Sequence, residues 1–345
     1  MKYRTSIGPA NGILYRDNKS LLIFTKDNNV EVLNLENLEI IHKYSLDFGK
    51  FSMTLVNKNY LSYATKIDES STQYSCLLIN KDTFDIEKTI PDFIGTHLSR
   101  NIIAGSRSIS ETEVYTEIID LDTLSTLLSK PYPQCNLLLL NDKYSIFQEG
   151  DKLYCYDNSN MNVVWASGLE SILDDVQPYT LNFNHWFLIE DLLWIPLRNK
   201  PLIILDIKSG EVLQAIDNEY PNGNYGVYKY DPFINKVIKL FRDSYFEIDI
   251  ATYELSYSKL EATKDHWTNT KNPFQIDENY IYFIEGRRTH LSRISKTSLE
   301  EIEKFDLNEA IPLEDEGSRT INDFFFHDDY LFIYDNKRQH HIIEK

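Results

Sequence analysis

Short runs of alternating hydrophobic and polar residues return along the whole chain. KSLLIFTKD, NYLSYATKI, KYSIFQEGD, DLLWIPLRN, KVIKLFRD, NYIYFIEG and DYLFIYDN each end in a charged or Gly-containing turn. Side chains of a strand point alternately to its two faces, so this period predicts β-strands. A second pattern follows each run: an alternating segment, an Asp or Asn, a short turn and another apolar strand. Its copies are VEVLNLENLEI, CLLINKDTFDI, TEIIDLDTLST, KLYCYDNSNMNVVW, LIILDIKSGEV and YFEIDIATYEL, with LSRISKTSLEEI as a weaker seventh. The turn opens at Asn34, Asn80, Asp120, Asp157, Asp206, Asp249 and Ser295. Three residues later stand Asn37, Thr83, Thr123, Asn160, Ser209, Thr252 and Ser298. Asp, Asn and Ser side chains accept hydrogen bonds from the backbone two residues on, which starts a tight turn.

Copies recur every 37 to 49 residues, the length of one four-stranded propeller blade. Further apolar runs such as QCNLLLLND, NFNHWFLIED and NDFFFHDD precede the hairpins, so each unit holds an inner strand, a hairpin and an outer strand. HHIIEK begins an eighth unit without an outer strand, and KYRTSI at the start of the chain is a strand without a unit. Joining them closes a ring and removes exposed edges. The expectation is an all-β fold: a β-propeller of four-stranded blades filling residues 1–345 as a single domain. The repeat count gives eight blades, or seven if one weak copy is a decoration. Stacked β-sandwiches or a β-solenoid would share the period and differ in unit length.

The copies resemble the PQQ-like repeat of quinoprotein-type propellers. That pattern runs Asp, two residues, Thr/Ser-Gly, then an apolar strand often ending in Trp. Asp206, Ser209, Gly210, Glu211 and Val212 match the turn, and Asp157 to Trp165 matches the Asp-to-Trp spacing. The other turns lack the Gly, and six of the seven copies lack the Trp. The resemblance implies a propeller of the non-catalytic, protein-binding branch. No adjacent cysteine pair supports a bound quinone. The signatures of WD40, kelch and Asp-box propellers are absent from the sequence.

Composition narrows the partner. Lys and Arg number 35 against 53 Asp and Glu, a net charge of −18. That balance disfavours nucleic acid, which needs a basic footprint, and anionic membrane surfaces. It suits solubility or capture of a basic partner. The three cysteines, Cys76, Cys135 and Cys155, form no CxxC and read as reduced, buried thiols. No run approaches the length of a membrane span, and MKYRTSIGPANG has no signal-peptide core. The expected location is cytoplasmic and the expected state monomeric.

Motifs for chemistry are missing. There is no GxSxG, HExxH, phosphate loop or calcium loop. His340 and His341 are adjacent on a strand, point to opposite faces and cannot chelate one ion together. No catalytic residue, metal or cofactor is expected.

Function should then lie in the long connections between blades. Four stand in the second half: SGLESILDDVQPYT, DNEYPNGNYG, EATKDHWTNTKNPF and DLNEAIPLEDEGSRT. Together they hold 12 acidic and 3 basic residues, or −9, half of the net charge. In a propeller they share a face with the turns inside the hairpins. The candidate partner-binding residues are Glu170, Asp174, Asp175, Glu219, Tyr220, Tyr225, Asp265, Trp267, Glu314, Asp315 and Glu316. Aromatic anchors in a charged rim suit a protein interface, and acidic complementarity suits a basic protein partner, such as a toxin met by an immunity-type inhibitor. The alternative is a carbohydrate-directed hydrolase or lyase at a central channel, with converging groups such as Asp191, His185 or Asp323. A small-ligand sensor would instead need a deep pocket lined by Tyr and Trp.

Overall fold

The polar residue that ends each third strand builds the turn after it. In the computed structural model, the Asp120 carboxylate accepts the amides of Asp122 (3.0 Å) and Thr123 (2.7 Å). Asn34, Asn80, Asp206, Asp249 and Ser295 accept the same pair of amides in their own turns. Asp157 accepts from Ser159. The residue three later explains its polarity: its side chain accepts the amide two residues further on, as Thr123 does from Ser125 and Ser209 from Glu211. The fourth residue after the opener then turns left-handed. Leu38, Leu124, Met161, Tyr253 and Leu299 have φ between 54° and 60°, and Gly210 has φ 75°. Each donates its amide to the carbonyl of the opener, at 2.7 to 2.9 Å. Only one of these six positions is glycine; the turn's hydrogen bonds hold the others in a region that costs an L-residue about 1 kcal/mol.

The structure describes residues 1–7, 10–16, 20–25, 29–45, 54–57, 59–66, 74–80, 82–83, 85–110, 112–132, 135–172, 186–197, 202–216, 227–241, 243–260, 274–285, 288–311, 319–327 and 329–344. Among them are eight four-stranded sheets, all with strands in chain order except the last. Sheet 1 is Ala10–Arg16, Ser20–Thr25, Asn29–Asn34 and Ile40–Ser45. Sheet 2 is Thr54–Val56, Tyr60–Lys66, Tyr74–Asn80 and Ile86–Ile90. Sheet 3 is Phe93–Leu98, Ile102–Ser108, Val114–Asp120 and Thr126–Pro131. Sheet 4 is Cys135–Leu140, Tyr144–Glu149, Lys152–Asp157 and Asn162–Gly168. Sheet 5 is Phe187–Ile189, Leu192–Pro196, Leu202–Asp206 and Val212–Ile216. Sheet 6 is Tyr228–Asp231, Lys236–Phe241, Ser244–Asp249 and Leu255–Lys259. Sheet 7 is Gln275–Ile276, Tyr280–Ile284, His290–Ser295 and Glu301–Asp306.

Sheet 8 takes three strands from the end of the chain, Ile321–His327, Tyr330–Asp335 and His340–Glu344, and its fourth, Lys2–Ile7, from the beginning. Tyr3 pairs with Ile343 and Ile7 with His340, antiparallel. An ion pair between Arg4 and Glu344 reinforces the ladder. The orphan strand and the incomplete unit therefore meet as the repeat required, and the edge of His340–Glu344 is covered.

The chain divides into two compact units. One comprises 1–12, 196–202 and 216–345 and holds sheets 6 to 8. The other comprises 13–195 and 203–215 and holds sheets 2 to 4 with most of sheets 1 and 5. In the first, Leu240, Tyr245, Phe283 and Ile294 fill the space between sheets 6 and 7. Tyr282, Leu291, Phe324, Leu331 and Ile343 do so between sheets 7 and 8. In the second, Cys76, Leu78, Phe93, Ile103 and Ile119 pack sheet 2 on sheet 3. All three cysteines are free and buried in strands, as their spacing predicted. Trp165 of sheet 4 lies over Gly210 of sheet 5: a Cβ there would stand 2.6 Å from the indole. The Trp165 Nε1–H donates to the Ile207 carbonyl at 2.7 Å. Sheets 4 and 5, whose sequences carry the PQQ-like match, are thus packed together through Trp165 and Gly210.

Candidate interaction face

A leucine amide fixes where each fourth strand leaves its sheet. Leu169 donates to the Asp151 carbonyl (2.7 Å), Leu260 to Asp243 (2.7 Å) and Leu307 to Thr289 (3.0 Å). The three acceptors lie at the turns between second and third strands of sheets 4, 6 and 7. In each of these sheets the outgoing connection therefore leaves beside the sheet's own hairpin turn. The leucines are at most 4% exposed, so each connection starts from an anchored point.

Side chains pin both ends of the connection from sheet 7 to sheet 8. Asp306 ends the fourth strand, and its carboxylate accepts the amides of Asn308 (2.8 Å) and Glu309 (3.2 Å), capping the short helix Leu307–Ala310. Asn308 bridges to the returning strand: its Oδ1 accepts the Arg319 amide (2.6 Å) and its Nδ2 donates to the Arg319 carbonyl (3.2 Å). The Arg319 side chain turns inward, donating to the Ile311 carbonyl through Nε (3.2 Å) and to Asp335 through Nη1 (2.6 Å). Asp335 is fully buried and also meets Nε2 of the fully buried His341 at 3.0 Å. Burial pushes the Asp335 carboxyl up. The hydrogen bonds from His341, the Gln339 amide and Arg319 outweigh that and hold it below the ordinary carboxylate value.

A second charged cluster lies at the same end of sheet 7. Glu285, 1% exposed, accepts from Ser292 Oγ (2.9 Å) and pairs with Lys304 (2.8 Å). His290 sits between two carboxylates, with Nε2 2.9 Å from Asp306 and Nδ1 3.8 Å from Glu285. Among the described residues no group of three or more His, Cys, Asp or Glu side chains could hold a metal ion. The thiols are poor nucleophiles, since burial pushes Cys135 up to about 11 and Cys155 up to about 12. These clusters pair charge with charge and pin the loop stem. Neither was legible in the sequence, because Arg319, Asp335 and His341 form no spaced motif and meet only through sheet pairing.

Of the predicted partner-binding residues, Glu170 is described. It is exposed on the short helix Leu169–Ile172, directly after the Leu169 anchor. Asp174, Asp175, Glu219, Tyr220, Tyr225, Asp265, Trp267, Glu314, Asp315 and Glu316 lie outside the described residues, as does His185 of the enzymatic alternative. Asp191 of that alternative stands in the turn after Ile189 and pairs with Lys208. Asp323 is exposed on the first strand of sheet 8.

No family model matches the sequence, and no curated protein matches it. Solved structures do match the fold. BamB from Moraxella catarrhalis superposes with a TM-score of 0.60 at 9% identity, covering 100% of this chain and 99% of that one. The C-terminal WD40 domain of Sif2 gives 0.61 at 10% identity, covering 100% and 96%. The β-propeller domain of Cps50 (Swd1) from Myceliophteria thermophila gives 0.54 at 9% identity, covering 100% and 99%. With its four-stranded antiparallel sheets, the chain has a β-propeller fold.

Proposed function

We propose that this chain is a non-catalytic protein-binding propeller whose acidic, aromatic face captures a basic protein. The observation that carries the reading is the inward turn of Arg319. It is the only cation between Asp306 and Thr320, and Asp335 neutralises it below the surface, with 8% of the residue exposed. Nothing basic within this connection then offsets Glu309, Glu314, Asp315 and Glu316. The buried leucine amides at Leu169, Leu260 and Leu307 each fix the start of an outgoing connection, which lowers the ordering cost of binding. In this reading the chain is one monomeric eight-bladed domain over residues 1–345 and acts in the cytoplasm. The Trp165–Gly210 packing supports kinship with PQQ-like repeats. Among the described residues no helix is long and apolar enough to cross a membrane. An immunity-type inhibitor of a basic toxin is the narrower form of the proposal.

The test is affinity capture from the native host with the wild-type chain and the variant E314Q/D315N/E316Q. Specific recovery of a basic protein, lost in the variant and weakened by salt, is the expected result. Recovery of acidic proteins only, or equal recovery by both chains, would refute the reading.

A further inference from the structure

The opposite end of sheets 6 and 7 carries a different feature. Turns between first and second strands close around two residues in sheets 2, 3, 4, 5 and 7: Asn57 donates its amide to the Tyr60 carbonyl, Ser99 to Ile102, Asn141 to Tyr144 and Asp277 to Tyr280, and Ile189 pairs with Leu192. In sheets 3, 4, 5 and 7 the tips are Arg100-Asn101, Asp142-Lys143, Glu190-Asp191 and Glu278-Asn279, all polar. In sheet 6, Asp231 pairs with Lys236, so the tip is four residues, Pro232-Phe233-Ile234-Asn235. Phe233 is 55% exposed and Ile234 38%. A longer tip that presents an aromatic and a branched aliphatic residue to water gains nothing for the fold.

This tip is also held rigidly. The Phe233 amide donates to Asp231 Oδ1 at 3.0 Å, and Tyr230 Oη donates to Asn235 Oδ1 at 3.0 Å. Lys296, from the turn after the third strand of sheet 7, pairs with the fully buried Asp231 at 2.6 Å. Its ammonium lies 4.8 Å from the Phe233 ring centroid, supporting one face of the ring. A preorganised aromatic on an exposed tip has the properties of an interface anchor.

The surrounding charge selects the partner. Asp231 neutralises Lys296, and Lys236 is paired with Glu247. Glu254, Glu278 and Glu300, in the neighbouring turns of sheets 6 and 7, are exposed. We propose that the Phe233–Ile234 tip is a second protein-binding site, on the end of the sheets opposite the acidic loops, for a segment presenting an apolar side chain between Lys or Arg residues. A second copy of a chain carrying −18 is disfavoured by like charge, and so is an anionic bilayer.

The site is tested by placing a photo-crosslinking phenylalanine analogue at position 233, with position 252 as control, in cells of the native host. The crosslinked segment is mapped and synthesised as a peptide, and its affinity is measured for the wild type and for F233S/I234S. The expected result is an adduct at 233 exceeding the control, in another protein, on a segment with an apolar residue flanked by Lys or Arg. The double variant should melt like the wild type and bind the peptide at least about tenfold more weakly. E314Q/D315N/E316Q should bind it unchanged, which separates failure here from failure of the acidic-loop reading. No adduct above control, an adduct with a second copy, or one on an acidic segment would overturn the proposal. Binding of phosphatidylcholine vesicles by the wild type but not by F233S/I234S would overturn it too.

Discussion

Lys239 lies in the second strand of sheet 6 and is 1% exposed. Its ammonium faces the rings of Phe246 (4.7 Å), Tyr228 (5.0 Å) and Phe241 (5.9 Å). Its hydrogen bond is a long one to Tyr228 Oη at 3.4 Å, and among the described residues no carboxylate pairs with it. Burial pulls this amine down to about 7 from 10.5. The unfolded chain therefore binds more protons than the folded one between those values, and the folded state grows more stable as pH rises through that window. A difference of three to four pH units at about 1.4 kcal/mol each puts the penalty near neutrality at about 4 kcal/mol. Cation–π attraction to the rings offsets about 0.5–2 kcal/mol. K239M keeps the length of the side chain and removes the charge. It should raise stability by about 2–4 kcal/mol at pH 7, and the gain should shrink towards zero by pH 10.5. Urea unfolding of both chains at three pH values, followed by tryptophan fluorescence, measures this. A gain that does not change with pH, or a destabilised variant at every pH, would show that Lys239 carries no such charge penalty.

Other consequences follow from the turns and from sheet 8. L124G relieves a left-handed leucine and should stabilise by up to about 1 kcal/mol, whereas G210A combines φ 75° with a clash against Trp165 and should cost at least about 2 kcal/mol. Denaturation midpoints of the two variants should therefore move in opposite directions. Burial holds the His340 imidazole down at about 4, below its unfolded value near 6.5. Its contribution is intact above pH 6.5 and is lost as pH falls from there towards 4. H340F, which preserves the stack on Tyr334 at 4.7 Å, should remove up to about 3 kcal/mol of that acid sensitivity, read as melting temperature against pH. Deleting residues 1–7 bares the edge of His340–Glu344, and the truncated chain should melt earlier and aggregate on heating.

The repeat was legible because each turn opener acts locally: the Asp120 carboxylate meets amides two and three residues away, and such short-range chemistry is written in spacing. The joining of Lys2–Ile7 to His340–Glu344 was legible as well, since an incomplete unit and a spare strand imply each other. The tips of the turns were less so. Family patterns place glycine at the left-handed position, yet Leu124, Met161 and Tyr253 occupy it because the surrounding hydrogen bonds fix the backbone. Lys239 was hidden for a different reason. KVIKLF is buried at every position after Lys236, so both faces of the strand are packed and alternation no longer marks the polar side. The Arg319–Asp335–His341 network joins residues brought together by pairing of the second strand of sheet 8 with the first, which follows Arg319, and with the third. The sequence located the acidic connections, and the leucine amides that anchor the start of three of them became visible only with the hairpin turns in place.

If uncompensated carboxylates on the connections between sheets draw in a basic protein, salt must slow the encounter. The most direct measurement is the association rate of the captured partner with wild type and with E314Q/D315N/E316Q, at roughly 0.05 and 0.5 M salt. The expected result is a wild-type rate that falls steeply with salt and a variant that is slow at low salt and nearly flat. Equal rates for both chains, or a wild-type rate indifferent to salt, would contradict it.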